Sequence, residues 1–216
     1  MPRPRTFPIV LAGFTAFLDL YATQPLLPLL MRVFGATHVA VSLTVTASTL
    51  AVALGAPVVG RLADFIGRKR VIVGSAVALA VATALAATST SLSQLVGWRF
   101  VQGLFTPGIF ATTIAYIHEE WPSSHAGRAT SAYVSGTVVG GFCGRALTGL
   151  VAGAAGWPAA FVVLAGLNLG AAVALAVWLP RERAAGARFD QGGLGHRLTA
   201  RARTGRRRHR LTKPNR

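Results

Sequence analysis

The chain has 216 residues, of which 52% are hydrophobic and 13% charged, where an ordinary globular domain carries roughly a quarter charged; a soluble domain with a polar shell is excluded. Its 22 basic and 6 acidic residues give a net charge of +16, but twelve of the basic residues and two of the acids lie from Arg181 onward. The others cluster at the edges of apolar stretches, so the positive-inside rule accounts for them and no nucleic-acid partner is expected.

A bilayer core needs about 20 mostly apolar residues per helix. Six stretches qualify: 8–34, 39–61, 70–88, 92–117, 126–152 and 157–179. An all-α membrane protein is therefore expected. The first stretch follows Arg3 and Arg5, as a cleaved signal peptide would. Asp19, Pro25 and Pro28 interrupt it and five more spans follow, so it reads as a retained span. Asp19 lies about 16 Å along this helix. Thr15 and Thr23 sit four residues to either side on the same face, with Gln24 adjacent. An ionisable group at that depth costs on the order of 3 kcal/mol to insert, and two readings stay open: a proton or substrate site, and an ion pair that locks helices together.

Between the second and third spans, Val59 to Ile72 reads VGRLADFIGRKRVI. A tight hairpin is expected there, with Gly60 and Gly67 relaxing the backbone around Asp64, Arg61, Arg68, Lys69 and Arg70. On the fourth span, Arg99, Gln102 and Thr106 form a polar stripe that Pro107 and Gly108 are expected to interrupt. Arg99 either faces a cavity or snorkels to the headgroups. Pro/Gly breaks in equivalent helices of inverted repeats point at a central cavity, and Pro25, Pro28 and Pro107 fall in the lead helix of each three-helix unit. His118, Glu119 and Glu120, before Trp121 and Pro122, read as a solvated helix end.

On the fifth span, Gly136, Gly140 and Gly144 form a small-residue stripe for close helix packing. Tyr133, Thr137, Gly141 and Arg145 align on the adjacent face, where Arg145 either lines a cavity or snorkels. Cys143, the single cysteine, excludes an internal disulfide and a cysteine-based metal site and reads as a packing residue. Linkers rich and poor in Lys/Arg alternate, which places both termini in the cytoplasm. Residues 1–180 form the membrane domain, and residues 181–216 are expected to be a basic, disordered cytoplasmic tail. No nucleophile set, phosphate loop or metal spacing is present, so an enzyme, a cofactor and a metal are not expected.

Gly60-Arg61-Leu62-Ala63-Asp64-Phe65-Ile66-Gly67-Arg68-Lys69-Arg70 resembles the signature between the second and third helices of major facilitator superfamily transporters. Arg99-Phe100-Val101-Gln102-Gly103 resembles the family's fourth-helix motif, whose arginine is implicated in proton coupling. Leu18 to Leu30 resembles the first helix of the drug- and sugar-efflux proton antiporters. The resemblance covers about residues 8 to 180 and implies six transmembrane helices arranged as two three-helix inverted repeats, half of the family's fold.

By the same resemblance, the function is proton-coupled efflux of a small molecule across the inner membrane, once a second half completes the protein. The expected proton and substrate pathway, read from these polar residues together with the resemblance, comprises Asp19, Thr23, Gln24, Arg99, Gln102 and Arg145. The implied cytoplasmic gate comprises Gly60, Asp64, Gly67, Arg68, Lys69 and Arg70, with Asp64 meeting Arg68 and a helix end of the second half. The fifth-helix antiporter motif is departed from: Gly141 stands where its proline would be and Arg145 where its last glycine would be. Asp19 and Arg99 are expected on the face that meets the second half. That half could be a second copy of the chain or another polypeptide. The alternative is a truncated, non-transporting membrane protein that binds partner helices, or anionic lipid through its tail.

Overall fold

In hydrocarbon every backbone N–H and C=O must find a partner within the protein, which leaves the helix as the default for a spanning segment. The computed structural model describes residues 6–180, and these fold as helices with short connections. Residues 1–5 and 181–216, including the basic tail expected to be disordered, lie outside the described residues. The first span is assembled from α1 (Phe7–Leu20), a 3-10 turn (Gln24–Leu26) and α2 (Leu27–Phe34). Five unbroken helices follow: α3 (His38–Ile66), α4 (Arg68–Ala86), α5 (Leu92–Glu120), α6 (Ser123–Ala155) and α7 (Trp157–Trp178). Six of these units are long and apolar enough to cross a membrane.

The hairpin expected over 59–72 is shorter than the sequence suggested. Helix α3 continues through Gly60 and Asp64 to Ile66, and α4 begins at Arg68, leaving only Gly67 between them. Its φ of 94° and ψ of 144° suit a residue without Cβ, so one glycine turns the corner. Gly60 is ordinary helix, which corrects the expectation that it relaxes the backbone. The charged residues there are tolerable helix formers, so the helices project beyond the apolar stretch instead of ending with it.

The same corner recurs between α6 and α7, where Gly156 has φ 84° and ψ 164°. Thus the second and third helices of each three-helix unit join in one way, as expected of two inverted repeats. Packing follows the same symmetry: α1 lies along α6, and its counterpart α5 lies along α3. Glycine makes both contacts close. A Cβ on Gly136, Gly140 or Gly144 would sit 2.3, 2.2 or 2.1 Å from the carbonyl oxygens of Val10, Phe14 and Leu18, and a Cβ on Gly103 would sit 2.3 Å from the Ser48 carbonyl. Without aqueous hydrophobic driving force, helices in lipid associate through such close van der Waals fit.

Pro107 does not interrupt α5, contrary to expectation. It removes one N–H from the ladder, whereas Pro25 and Pro28 together break the first span between Leu20 and Leu27. A break at membrane depth survives only if the freed carbonyls find donors.

Candidate functional site

Those donors come from α5 and α6. At the break, Arg99 Nη1 donates to the Asp19 carbonyl at 3.2 Å and Nη2 to the Leu20 carbonyl at 3.1 Å. The Thr148 hydroxyl lies 2.8 Å from the Ala22 carbonyl and 2.7 Å from the Gly144 carbonyl of its own helix, and its single hydrogen serves either. Arg99 is thus a cap for an interrupted helix as well as a charge. Its main chain is fixed in turn by the Ser48 hydroxyl of α3, 2.9 Å from the Arg99 carbonyl.

Arg99 Nη1 also lies 3.3 Å from Asp19 Oδ2 and donates to Gln102 Oε1 at 2.7 Å. The other carboxylate oxygen, Oδ1, meets the Thr83 hydroxyl of α4 at 3.0 Å and Asn168 Nδ2 of α7 at 3.4 Å. Gln102 Nε2 donates to the Thr83 oxygen at 2.9 Å. Asp19, Thr83, Arg99, Gln102 and Asn168 are all buried to 1% exposure or less. Arg99 therefore does not snorkel. Nor do Asp19 and Arg99 occupy an open face, as the sequence suggested, because α4 and α7 cover them with polar partners.

This network can rearrange. The Thr83 oxygen is also 2.7 Å from the Leu79 carbonyl, and its single hydrogen serves either that carbonyl or Asp19. Thr23 Oγ1, Arg99 Nε and Asn168 Oδ1 are buried without hydrogen-bond partners, so donors and acceptors stand in reserve. Thr23, expected on the Asp19 face, is buried beyond the end of α1.

Gln24 and Arg145, the remaining residues of the expected pathway, form a separate group. Arg145 Nη1 donates to Gln24 Oε1 at 3.2 Å, and its guanidinium carbon lies 4.8 Å from the centroid of the Tyr21 ring. At the Gly67 corner, Arg68 pairs with Asp64 at 3.5 Å and with Glu119 at the end of α5. Lys69 donates to the Leu179 carbonyl just beyond α7. Arg70 lines an apolar groove of about 380 Å³ between α3, α4 and α5, with Leu54, Val58, Leu62 and Phe105. Gly60 meets nothing within 4 Å of where a Cβ would be.

Sequence reasoning missed Thr83, Asn168, Ser48 and Glu119. Asn168 had a signal, being a lone amide in an otherwise apolar span. Glu119 was read as solvated, although Arg68 ties it to the signature segment.

A family model described as Major Facilitator Superfamily matches residues 9–213, reaching past the point near 180 where the resemblance read from sequence ends. The chain is 33% identical over 181 residues to the uncharacterized MFS-type transporter YybF of Bacillus subtilis, covering 84% of this chain and 45% of that protein. It is 31% identical over 186 residues to a multidrug resistance protein B homolog of Mycobacterium tuberculosis, covering 86% and 34%. Its backbone is similar, with a TM-score of 0.70 at 16% identity, to the inward-facing, occupied structure of a bacterial homolog of the human lysosomal transporter Spinster, over 82% of this chain and 44% of that one. At that identity the likeness shows the fold. The chain spans less than half the length of each of these proteins.

Proposed function

This chain belongs to the Major Facilitator Superfamily, and from that premise we propose that it is one six-helix half of a transporter that exports a small molecule in exchange for protons. The carrying observation is the buried Asp19 and Arg99 pair at the broken first span. An ionisable pair at membrane depth is expensive to maintain and marks proton and ion pathways. Export is supported by the multidrug resistance relative, and the second half is a second copy of the chain or further polypeptide.

The mechanism follows from the hydrogen bonds. Ionised Asp19 accepts from Arg99, Thr83 and Asn168. A proton taken onto Oδ1 makes Asp19 a donor, the Thr83 oxygen accepts it, and the Thr83 hydrogen turns to the Leu79 carbonyl. Arg99 then faces a neutral carboxyl and holds α1 chiefly through the Asp19 and Leu20 carbonyls. Charge-assisted hydrogen bonds are roughly twice as strong as neutral ones, so the tie between α1 and α5 loosens. The first span is freed to pivot at Tyr21 to Thr23 as substrate moves.

The Gly67 corner, with Asp64, Arg68, Lys69 and Arg70, faces the cytoplasm of the inner membrane in this reading, and Asp64 acts in its gate. Asp64 is 66% exposed and free to meet the positive end of a helix in the second half. Cysteines placed at Ser91 and Ser124, after Cys143 is removed, test the orientation: Ser91 labels from outside and Ser124 from the cytoplasm, and the reverse pattern overturns it. For transport, a proton gradient imposed on vesicles holding this chain with its second half drives accumulation of the substrate, and an uncoupler abolishes it. Accumulation indifferent to the gradient overturns proton coupling.

A further inference from the structure

We infer that Arg145, with Gln24 and Tyr21, forms a subsite that holds the oxyanion of an organic anion, a carboxylate or phosphonate attached to an aromatic or apolar body. This deepens the transporter reading above by naming the substrate class.

Arg145 stands ten residues before the end of α6 at Ala155, about 15 Å along the helix axis, or about half the thickness of a bilayer core. A cation there calls for a counter-charge or a wet cavity. Among the described residues its partners are neutral: the Gln24 amide oxygen at 3.2 Å and the face of the Tyr21 ring at 4.8 Å. The acids among the described residues lie elsewhere. Asp19 is enclosed with Arg99, Asp64 and Glu119 join Arg68 at the Gly67 corner, and Glu120 ends α5. Arg145 is also exposed, whereas Arg99 is enclosed.

The guanidinium is held ready for a ligand. A Cβ on Gly141 would lie 2.9 Å from Tyr21 Cδ2, so glycine at that position lets the ring lie against α6. The ring then supports the guanidinium by a cation–π contact. The Gln24 contact uses Nη1 and leaves the Nη2 and Nε side of a planar fork, whose geometry matches carboxylate and phosphate. Phe17 and Tyr21 are two residues either side of Asp19, about 200° around the helix, and so lie on the side of α1 turned away from the buried cluster. Phe17 packs edge-on to Phe110 of α5 at 6.3 Å and against Tyr21 at 5.9 Å. A panel of three aromatic rings beside an arginine that meets no acid among the described residues suits an aromatic or apolar body carrying one negative group.

The test is equilibrium binding of radiolabelled benzoate to the full chain in phosphatidylcholine nanodiscs. The subsite predicts saturable binding that phenylphosphonate displaces and that benzamide and benzylamine, its neutral and cationic counterparts, do not. Arg145→Gln weakens binding at least about tenfold, the loss of one charge-assisted contact. Arg145→Lys keeps the charge without the fork and retains more affinity than Gln, while an unfolding midpoint unchanged in both shows that the bundle is intact. Equal competition by benzamide, unaltered binding in Arg145→Gln, or no saturable binding overturns the inference. So does displacement by phosphatidylglycerol added to the nanodiscs, which assigns the site to a lipid headgroup. Binding is read without transport, so its failure leaves the Asp19 reading standing, and the failure of proton coupling leaves the subsite standing.

Discussion

Asp19 with Arg99 and Asp64 with Arg68 bring the same two functional groups to nearly the same separation, 3.3 and 3.5 Å. Their surroundings differ. The Asp19 and Arg99 side chains are 2% and 1% exposed, whereas Asp64 is 66% exposed. Water and salt screen the second pair, so its attraction is worth under about 1 kcal/mol. In the first pair each charge depends on the other, because either one alone would be buried without compensation. In the proposed mechanism the buried pair ties protonation to helix position, while the exposed carboxylate is the one open to another partner.

The largest effect separating the two regions comes from Arg99→Leu. It strands the Asp19 charge and leaves the Leu20 carbonyl without its donor, while the Asp19 carbonyl keeps the Ala22 N–H at 3.2 Å, so unfolding in detergent loses about 3 to 5 kcal/mol. A loss under about 1 kcal/mol would place the buried pair in the same class as the exposed one. Next comes Gly140→Leu, which drives α6 against the Phe14 carbonyl and costs about 1 to 3 kcal/mol. Because it moves α1 and with it Asp19, its cost falls in an Asp19→Asn/Arg99→Gln background, a coupling read from a double-mutant cycle. Strict additivity would mean that helix packing and the ion pair are independent. The smallest change in stability is that of Asp64→Asn, under about 1 kcal/mol and vanishing in high salt. In an active assembly the same substitution shifts the accessibility of cysteines at the Gly67 end, and unchanged accessibility removes Asp64 from the gate.

What could be read from the sequence follows from the solvent. Hydrocarbon forces backbone hydrogen bonds into helices, so six apolar stretches became six spans and the Gly136, Gly140 and Gly144 stripe became a close contact. The Gly67 corner was visible, but its tightness was not, since charged residues end an apolar run without ending a helix. Asp19 and Arg99 were legible as costly residues. Their enclosure was not, because Thr83 and Asn168 are single polar residues whose relation to Asp19 exists only after α4 and α7 pack on α1. Pro25 and Pro107 look alike in sequence and differ in structure. At the first, Pro28 follows closely and Arg99 and Thr148 supply donors to the freed carbonyls; at the second, a single N–H is missing from a long, packed helix.

Whether Asp19 carries the coupled proton is decided in vesicles containing this chain and its second half, by following substrate-driven proton movement and substrate counterflow together. Asp19→Asn is expected to abolish proton movement while counterflow of substrate continues, since exchange without a gradient needs no proton. Proton movement persisting in Asp19→Asn would contradict that role and leave Asp19 as a structural partner of Arg99.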